Sequence, residues 1–197
     1  LGELAACDGL DSIWLGGYSI GGNLVLKAAG ELSGSNTALK GVVAVCPNID
    51  PAACTAALIQ PRNWIYNLHF VRSLKARLRR KAVLFPDRFD PAPLAGIRTL
   101  LDFDEAYTAP DGGYRSAADY YEQAGSRHVL GSIAVPTLIL TAQDDPFIPY
   151  RIFDWPALRT NSQIRFEAPA HGGHCGFVQR LNADEDRYWA ENRLLEF

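Results

Sequence analysis

Methionine is absent from the 197 residues, and cysteine is scarce. The four cysteines, Cys7, Cys46, Cys54 and Cys175, form no C-x-x-C pair and match no zinc spacing, so no metal site is expected from them. Hydrophobic residues make up 48% of the chain, enough at this length to bury a core without disulfides. All four therefore read as free thiols in a reducing compartment, which points to the cytoplasm. Excess positive charge is lacking as well. Nineteen basic residues stand against twenty-two acidic ones, for a net charge of −3, and leave no footprint for nucleic acid. No apolar run approaches the roughly 18 residues of a membrane-spanning helix. The length suits one domain, or one domain carrying an insertion.

Short apolar runs alternate with helical patterns. Residues 12–17 (Ser-Ile-Trp-Leu-Gly-Gly) read as a buried strand, and 20–32 as a helix with Leu24, Leu26, Ala28, Ala29 and Leu32 on its apolar side. Further strands are expected at 41–46, 135–141 and 163–167, and a closing helix at 183–195 with Tyr188, Trp189, Leu194 and Leu195 available for one face. Continuous apolar strands separated by helices predict an α/β fold, with a mostly parallel sheet covered on both sides. Almost ninety residues, about 47–132, separate the second and third strands, far more than an ordinary connection. This insertion is expected to form a helical cap. Its aromatics (Trp64, Tyr66, Phe70, Phe85, Phe89, Phe103, Tyr107) suit an acyl-binding pocket as well as a core of its own. Its basic run (Arg72, Lys75, Arg77, Arg79, Arg80, Lys81) suits a solvated helix face or contact with an anionic lipid surface.

At the first strand-to-helix junction stands Gly17-Tyr18-Ser19-Ile20-Gly21-Gly22, a G-x-S-x-G sequence in strand–turn–helix context. A nucleophilic Ser must project from a sharp turn, where side chains two residues to either side are expected to collide with neighbouring backbone. The helix beginning at Ile20 directs its free N–H groups at the same point, so the Ile20 N–H can stabilise an oxyanion. A phosphate loop would need Gly-Lys-Ser/Thr, and Asn23-Leu24 follows instead; the glycine order also misses the dinucleotide fingerprint. Carboxylates Asp144 and Asp145 follow the third strand, and His171 and His174 follow the fourth. Ser, then Asp, then His is a workable hydrolytic order. A neutral His takes the Ser proton, and a buried carboxylate fixes its tautomer. His174 lies in a Gly-flanked loop able to reach back over the sheet, whereas His171 is better placed to support that loop.

The stretches 17–27 (Gly-Tyr-Ser-Ile-Gly-Gly-Asn-Leu-Val-Leu-Lys), 144–147 (Asp-Asp-Pro-Phe) and 171–177 (His-Gly-Gly-His-Cys-Gly-Phe) resemble the YheT-like branch of the α/β-hydrolases. So do 103–110 (Phe-Asp-Glu-Ala-Tyr-Thr-Ala-Pro) and 118–121 (Ala-Asp-Tyr-Tyr) inside the insertion. The resemblance implies an esterase or lipase acting on small-molecule or lipid carboxylic esters through an acyl-enzyme, without cofactor or metal. By matching position, Ser19 would be the nucleophile, His174 the base and Asp145 the acid. Asp145-Pro146, with Pro149 after it, resembles the D-P-x-x-P turn of many α/β-hydrolases and favours Asp145 over Asp144. The family's strands before the nucleophile, and the loop donating a second oxyanion N–H, have no counterpart in this chain. With Leu1 as its first residue, the chain is expected to be the C-terminal part of an α/β-hydrolase domain. The rival expectation is a non-catalytic α/β-hydrolase scaffold used as a ligand-binding or interaction module. Such scaffolds commonly lose a triad member, and here all three residue types are present.

Overall fold

The computed structural model describes residues 10–32, 34–35, 37–181 and 185–197. It divides into two compact units, one of residues 1–50 with 124–197 and one of residues 51–123.

The first unit is a parallel sheet of β1 (Ile13–Tyr18), β2 (Leu39–Val45), β3 (Thr137–Leu140) and β4 (Ile164–Glu167), in that spatial order. Helix α1 (Ile20–Leu32) follows β1 directly. The apolar runs of β2 and β3 occupy the centre, where a parallel strand is covered on both faces; Val42, Ala44, Val45, Ile139 and Leu140 are fully buried. Around them pack Phe177, Ala190, Trp189 and Leu194. The pairing is in register at one end: Tyr18 lies beside Val45, Val45 beside Leu140, and Leu140 beside Glu167. All four strands thus stop on one line, and the loops that follow them emerge side by side.

Three local expectations change. β1 is half-exposed rather than buried, with Trp14 at 53% and Tyr18 at 40%, because among the described residues it is the sheet's edge. Trp14 lies across Gly41, where any Cβ would come within 2.2 Å of the indole. Helix α1 buries Asn23, Leu26, Ala29 and Gly30, while Leu24 is 60% exposed. Gly30 decides that face, since a Cβ there would stand 2.5 Å from the Val129 carbonyl oxygen. Buried Asn23 is satisfied at both ends, donating to Ala124 O (2.9 Å) and accepting from Ser126 N–H (2.8 Å). The closing helix runs only over Trp189–Glu196; residues 183–184 of the expected span lie outside the described residues. Tyr188 bridges Val178 in antiparallel fashion, and the Trp189 N–H donates to Phe177 O (3.2 Å), so the helix starts only at Trp189. Tyr188 and Leu195 consequently face solvent.

The second unit is helical. Its longest element, α2 (Trp64–Leu84), buries Val71 and Leu78, seven residues apart on one stripe. They join Phe89, Leu94, Ile97 and Phe103 in a core of the unit's own, with Tyr107 against it. Trp64, Tyr66, Phe70 and Phe85 are exposed instead, so the aromatics divide between core and surface. Arg72, Arg77, Arg79, Arg80 and Lys81 are exposed. The motifs at 103–110 and 118–121 meet each other. Asp104 opens a π-helical turn (Asp104–Thr108) and accepts from Tyr121 Oη (2.7 Å) and Thr108 Oγ1 (2.6 Å). Tyr121 belongs to α3 (Ala117–Ala124), whose Ala117 N–H donates to Glu105 Oε2 (2.7 Å). Burial nonetheless leaves the Asp104 carboxyl above its usual pKa. These motifs fasten the helical unit together.

Candidate active site

Each strand of the sheet delivers one element of the site at its C-terminal end, where ligand sites of open α/β sheets form. Ser19 follows β1, Cys46 follows β2, Asp144 and Asp145 lie beyond β3, and the loop 171–175 lies beyond β4. Ser19 sits at φ 54°, a left-handed conformation costly for a non-glycine residue. Its N–H donates to Val45 O (2.8 Å), and its own carbonyl accepts from Asn23 N–H (3.1 Å), locking the turn between strand and helix. The glycine requirement proves one-sided. A Cβ on Gly17 would fall 2.3 Å from Gly21 O, whereas a Cβ on Gly21 meets open space. Gly22 is the second tight position, where a Cβ would stand 3.1 Å from Gly17 O and from Pro47 Cβ. Ile20 is the first residue of α1, so its N–H has no partner within the helix and remains available at the turn.

The structure brings Ser19, His174 and Asp145 together across 155 and 29 residues of chain. His174 Nε2 is 2.9 Å from Ser19 Oγ, and Nδ1 is 2.8 Å from Asp145 Oδ2. The Asp145 side chain is completely buried, and its other oxygen accepts from the N–H groups of Phe147 (3.0 Å) and Ile148 (2.9 Å). Those two bonds fix the carboxylate plane, so only Oδ2 is left for the imidazole. The Phe147 ring lies against His174 with centroids 4.1 Å apart. Burial disfavours a charged imidazole here, but the hydrogen bond to Asp145, the Cys175 sulfur and the Asp145 charge outweigh it. His174 is held up at about 9.

Asp144 and His171 have a different place. Asp144 Oδ1 accepts from Gly172 N–H (3.0 Å) and Gly173 N–H (2.8 Å), and its Oδ2 is 3.2 Å from His171 Nδ1. His171 is 90% exposed. This second Asp–His pair shapes the loop that carries His174, and neither member touches Ser19. The Gly173 N–H, followed by His171, keeps the Asp144 carboxyl below its usual range despite some desolvation.

Two residues near the site were given no role from the sequence, Cys46 outside every motif and Cys175 inside that of His174. Cys46 is fully buried, and Cys175 follows His174 directly. Hydrogen bonding with the Cys46 sulfur, and next the charge and hydrogen bond of His174, lowers the Cys175 thiol to about 5 against the opposing effect of burial. The same pairing, with burial, pushes Cys46 well above a normal thiol. Cys54 belongs to the helical unit; Cys7 lies outside the described residues. Cys46 and Cys175 also have positive φ, 44° and 62°. With Ser19 they are the three non-glycine residues of this kind among the described residues. The available clues were the strand end on which Cys46 stands and the position of Cys175 beside His174.

Comparison with known proteins agrees with this architecture. A model of the alpha/beta hydrolase family matches residues 1–185. Over 180 residues the chain is 31% identical to the putative esterase YheT of Escherichia coli, covering 90% of this chain and 52% of that protein. It is 30% identical over 166 residues to the mouse phospholipase ABHD3, covering 84% of this chain and 40% of that one. The chain thus spans about half the length of the curated relatives it matches. Among solved structures, an alpha/beta fold family hydrolase from Bacillus anthracis superposes with a TM-score of 0.51 at 14% identity, covering 87% of this chain and 64% of that one. That likeness concerns the fold alone. No described helix is long and apolar enough to cross a membrane.

Proposed function

The chain belongs to the α/β hydrolase family, and from that premise we propose that it is a serine hydrolase acting on carboxylic esters through Ser19, His174 and Asp145. One observation carries the reading: a single imidazole hydrogen-bonds Ser19 Oγ on one side and a buried carboxylate on the other. Neutral His174 accepts the Ser19 proton at Nε2 while Oγ bonds to the ester carbonyl carbon. The carbonyl oxygen becomes an oxyanion, to which the Ile20 N–H donates. Collapse of the tetrahedral species expels the alcohol, which takes the proton from His174 and leaves an acyl group on Ser19. Water, deprotonated by the same imidazole, then releases the carboxylic acid. Asp145 keeps Nδ1 protonated and stabilises the imidazolium at each step. Relatives named esterase and phospholipase support ester or lipid substrates.

Residues 51–123 are read as an insertion within the hydrolase domain. Arg72, Arg77, Arg79 and Arg80 on α2, near exposed Val83, Leu84 and Phe85, favour contact with an anionic lipid surface. The test of the main reading is covalent labelling with a fluorophosphonate. Ser19 should be the labelled residue, and Ser19→Ala should abolish the adduct. A full-length protein that folds and takes no label would be a ligand-binding module on a hydrolase scaffold.

A further inference from the structure

Two sulfurs without a role in ester hydrolysis stand beside the imidazole that would drive it. Ligand atoms of Cys46, Cys175 and His174 all lie within 4.8 Å of one another. Two thiolates and an imidazole are a donor set for zinc and for softer thiophilic cations. On a tetrahedral zinc with Zn–S bonds of about 2.3 Å, two sulfurs sit roughly 3.8 Å apart. Shifts on the order of 1 Å therefore bring all three donors onto one ion, which is within the freedom of χ1 adjustments. Nor are the sulfurs strongly engaged elsewhere. Cys46 Sγ reaches Gly173 O at 3.8 Å and Cys175 Sγ reaches Val45 O at 4.0 Å, both weak thiol contacts. Cys175 and His174 are part-exposed, so an ion can approach from their side, while buried Cys46 forms the floor.

We propose that Cys46, Cys175 and His174 form a binding site for a thiophilic divalent cation such as zinc, and that filling it takes His174 away from Ser19. The two sulfurs and the imidazole bind deprotonated, releasing to solvent whatever protons they carry, and no electrons are transferred. The consequence for activity rests on the hydrolase reading and follows from how the ring is already used. Nε2 meets Ser19 and Nδ1 meets Asp145, so neither nitrogen is spare. If the ion takes Nε2, the proton acceptor of Ser19 is gone. If it takes Nδ1, the ring turns away from Asp145 and loses its orientation. The fourth coordination position is left to water, so the site is open and its ion removable by chelators.

The test uses the full chain carrying Cys7→Ala and Cys54→Ala, stripped with EDTA and titrated with cadmium. Thiolate-to-cadmium charge-transfer absorption should saturate at one ion per chain. Cys46→Ser, Cys175→Ser and His174→Ala should each weaken binding by more than the roughly 10–100-fold typical of changes outside the first coordination sphere. In the parent chain, the cadmium NMR shift should report two sulfur donors, a readout that needs no further variant to fold. Zinc should slow fluorophosphonate labelling of Ser19 and EDTA should restore it. The two Cys→Ser chains, each compared with its own rate in EDTA, should respond far less. Absorption that persists in both Cys→Ser chains, binding indifferent to His174→Ala, or labelling unchanged at saturating zinc would overturn the proposal. Failure to label in EDTA would sink the hydrolase reading alone, because the absorption titration still decides the cation site.

Discussion

Replacing Asp145 with Asn should cost far more activity than the same change one residue earlier, and the geometry says why. Asp145 Oδ1 is held by the N–H groups of Phe147 and Ile148, at 3.0 and 2.9 Å. An Asn at this position keeps that acceptor in place, so its amide nitrogen must take the position of Oδ2, facing His174 Nδ1 at about 2.8 Å. An NH2 group donates and cannot accept. The imidazole is then driven to the tautomer with a bare Nδ1 and a proton on Nε2, aimed at Ser19 Oγ. That ring cannot receive the Ser19 proton. The corresponding change in a serine protease triad costs about 10⁴ in turnover, equivalent to about 5 kcal/mol of transition-state stabilisation. Asp144→Asn is gentler. Its Oδ1 would still accept from Gly172 and Gly173, and what disappears is one exposed ionic contact with His171. Less than about a tenfold loss is expected from so exposed a pair. Initial rates on p-nitrophenyl esters and fluorophosphonate labelling rates measure both, with thermal melts confirming that each variant folds. A larger effect at Asp144, or more than a tenth of the activity left in Asp145→Asn, would refute the tautomer argument and with it the place of Asp145.

Ser19→Ala should remove label and turnover together, by about 10⁴–10⁶ in rate, while leaving the melting temperature within a few degrees; the fold does not depend on the hydroxyl. With His174 held up at about 9, the base form grows in as pH rises. Activity in EDTA should therefore climb through that region, and Cys175→Ser, which removes one cause of the upward shift, should move the profile to lower pH. A midpoint near the ordinary imidazole value of about 6.5 would contradict this. Gly17→Ala should unfold the elbow or abolish labelling, since its Cβ would sit 2.3 Å from Gly21 O, whereas Gly21→Ala should be tolerated; equal melting temperatures would show that the turn adapts. Arg77→Glu with Arg80→Glu should reduce co-sedimentation with phosphatidylserine vesicles at least about tenfold at low salt, and unchanged binding would remove α2 from any lipid contact.

The elements that sequence made legible are those with a single strong signal. The apolar runs of β2 and β3 read as central strands because burial on both faces leaves no alternation to mislead. The strand-to-helix turn at Ser19 was visible because glycines flank it, of which Gly17 and Gly22 have a steric cause. What stayed hidden depended on which neighbour was present. Leu24 looks like a core residue on helical spacing alone, yet Gly30 decides which side of α1 can approach the 127–132 turn, and that side is not Leu24's. The same holds at the C-terminus, where 185–188 have helical composition but are kept out of the helix by the Asp186 turn and the bridge of Tyr188 to Val178. The exposed half of β1 is a matter of sheet order, on which its own residues are silent.

The site follows the same division, and its hidden part is the more instructive. Ser19, Asp145 and His174 could be named because each stands in a local motif whose residue types have a chemical reason. Cys46 stands in none, Cys175 is only a passenger in the motif of His174, and 129 residues separate the two. Their nearness is produced by register: Tyr18, Val45, Leu140 and Glu167 end on one line, so whatever follows each strand is carried to the same edge. Backbone strain reinforces this. A left-handed residue right after β1, another right after β2, and a third beside His174 each turn a side chain sharply out of the chain's path. Three such conformations cost about 1–3 kcal/mol apiece. They are accounted for if what the fold must preserve is the convergence itself, one hydroxyl and two sulfurs around a single imidazole. If the two cysteines hold a cation as proposed, they belong to the chemistry of this edge as much as the serine does, and that cation would compete with an ester at Ser19 for the same histidine.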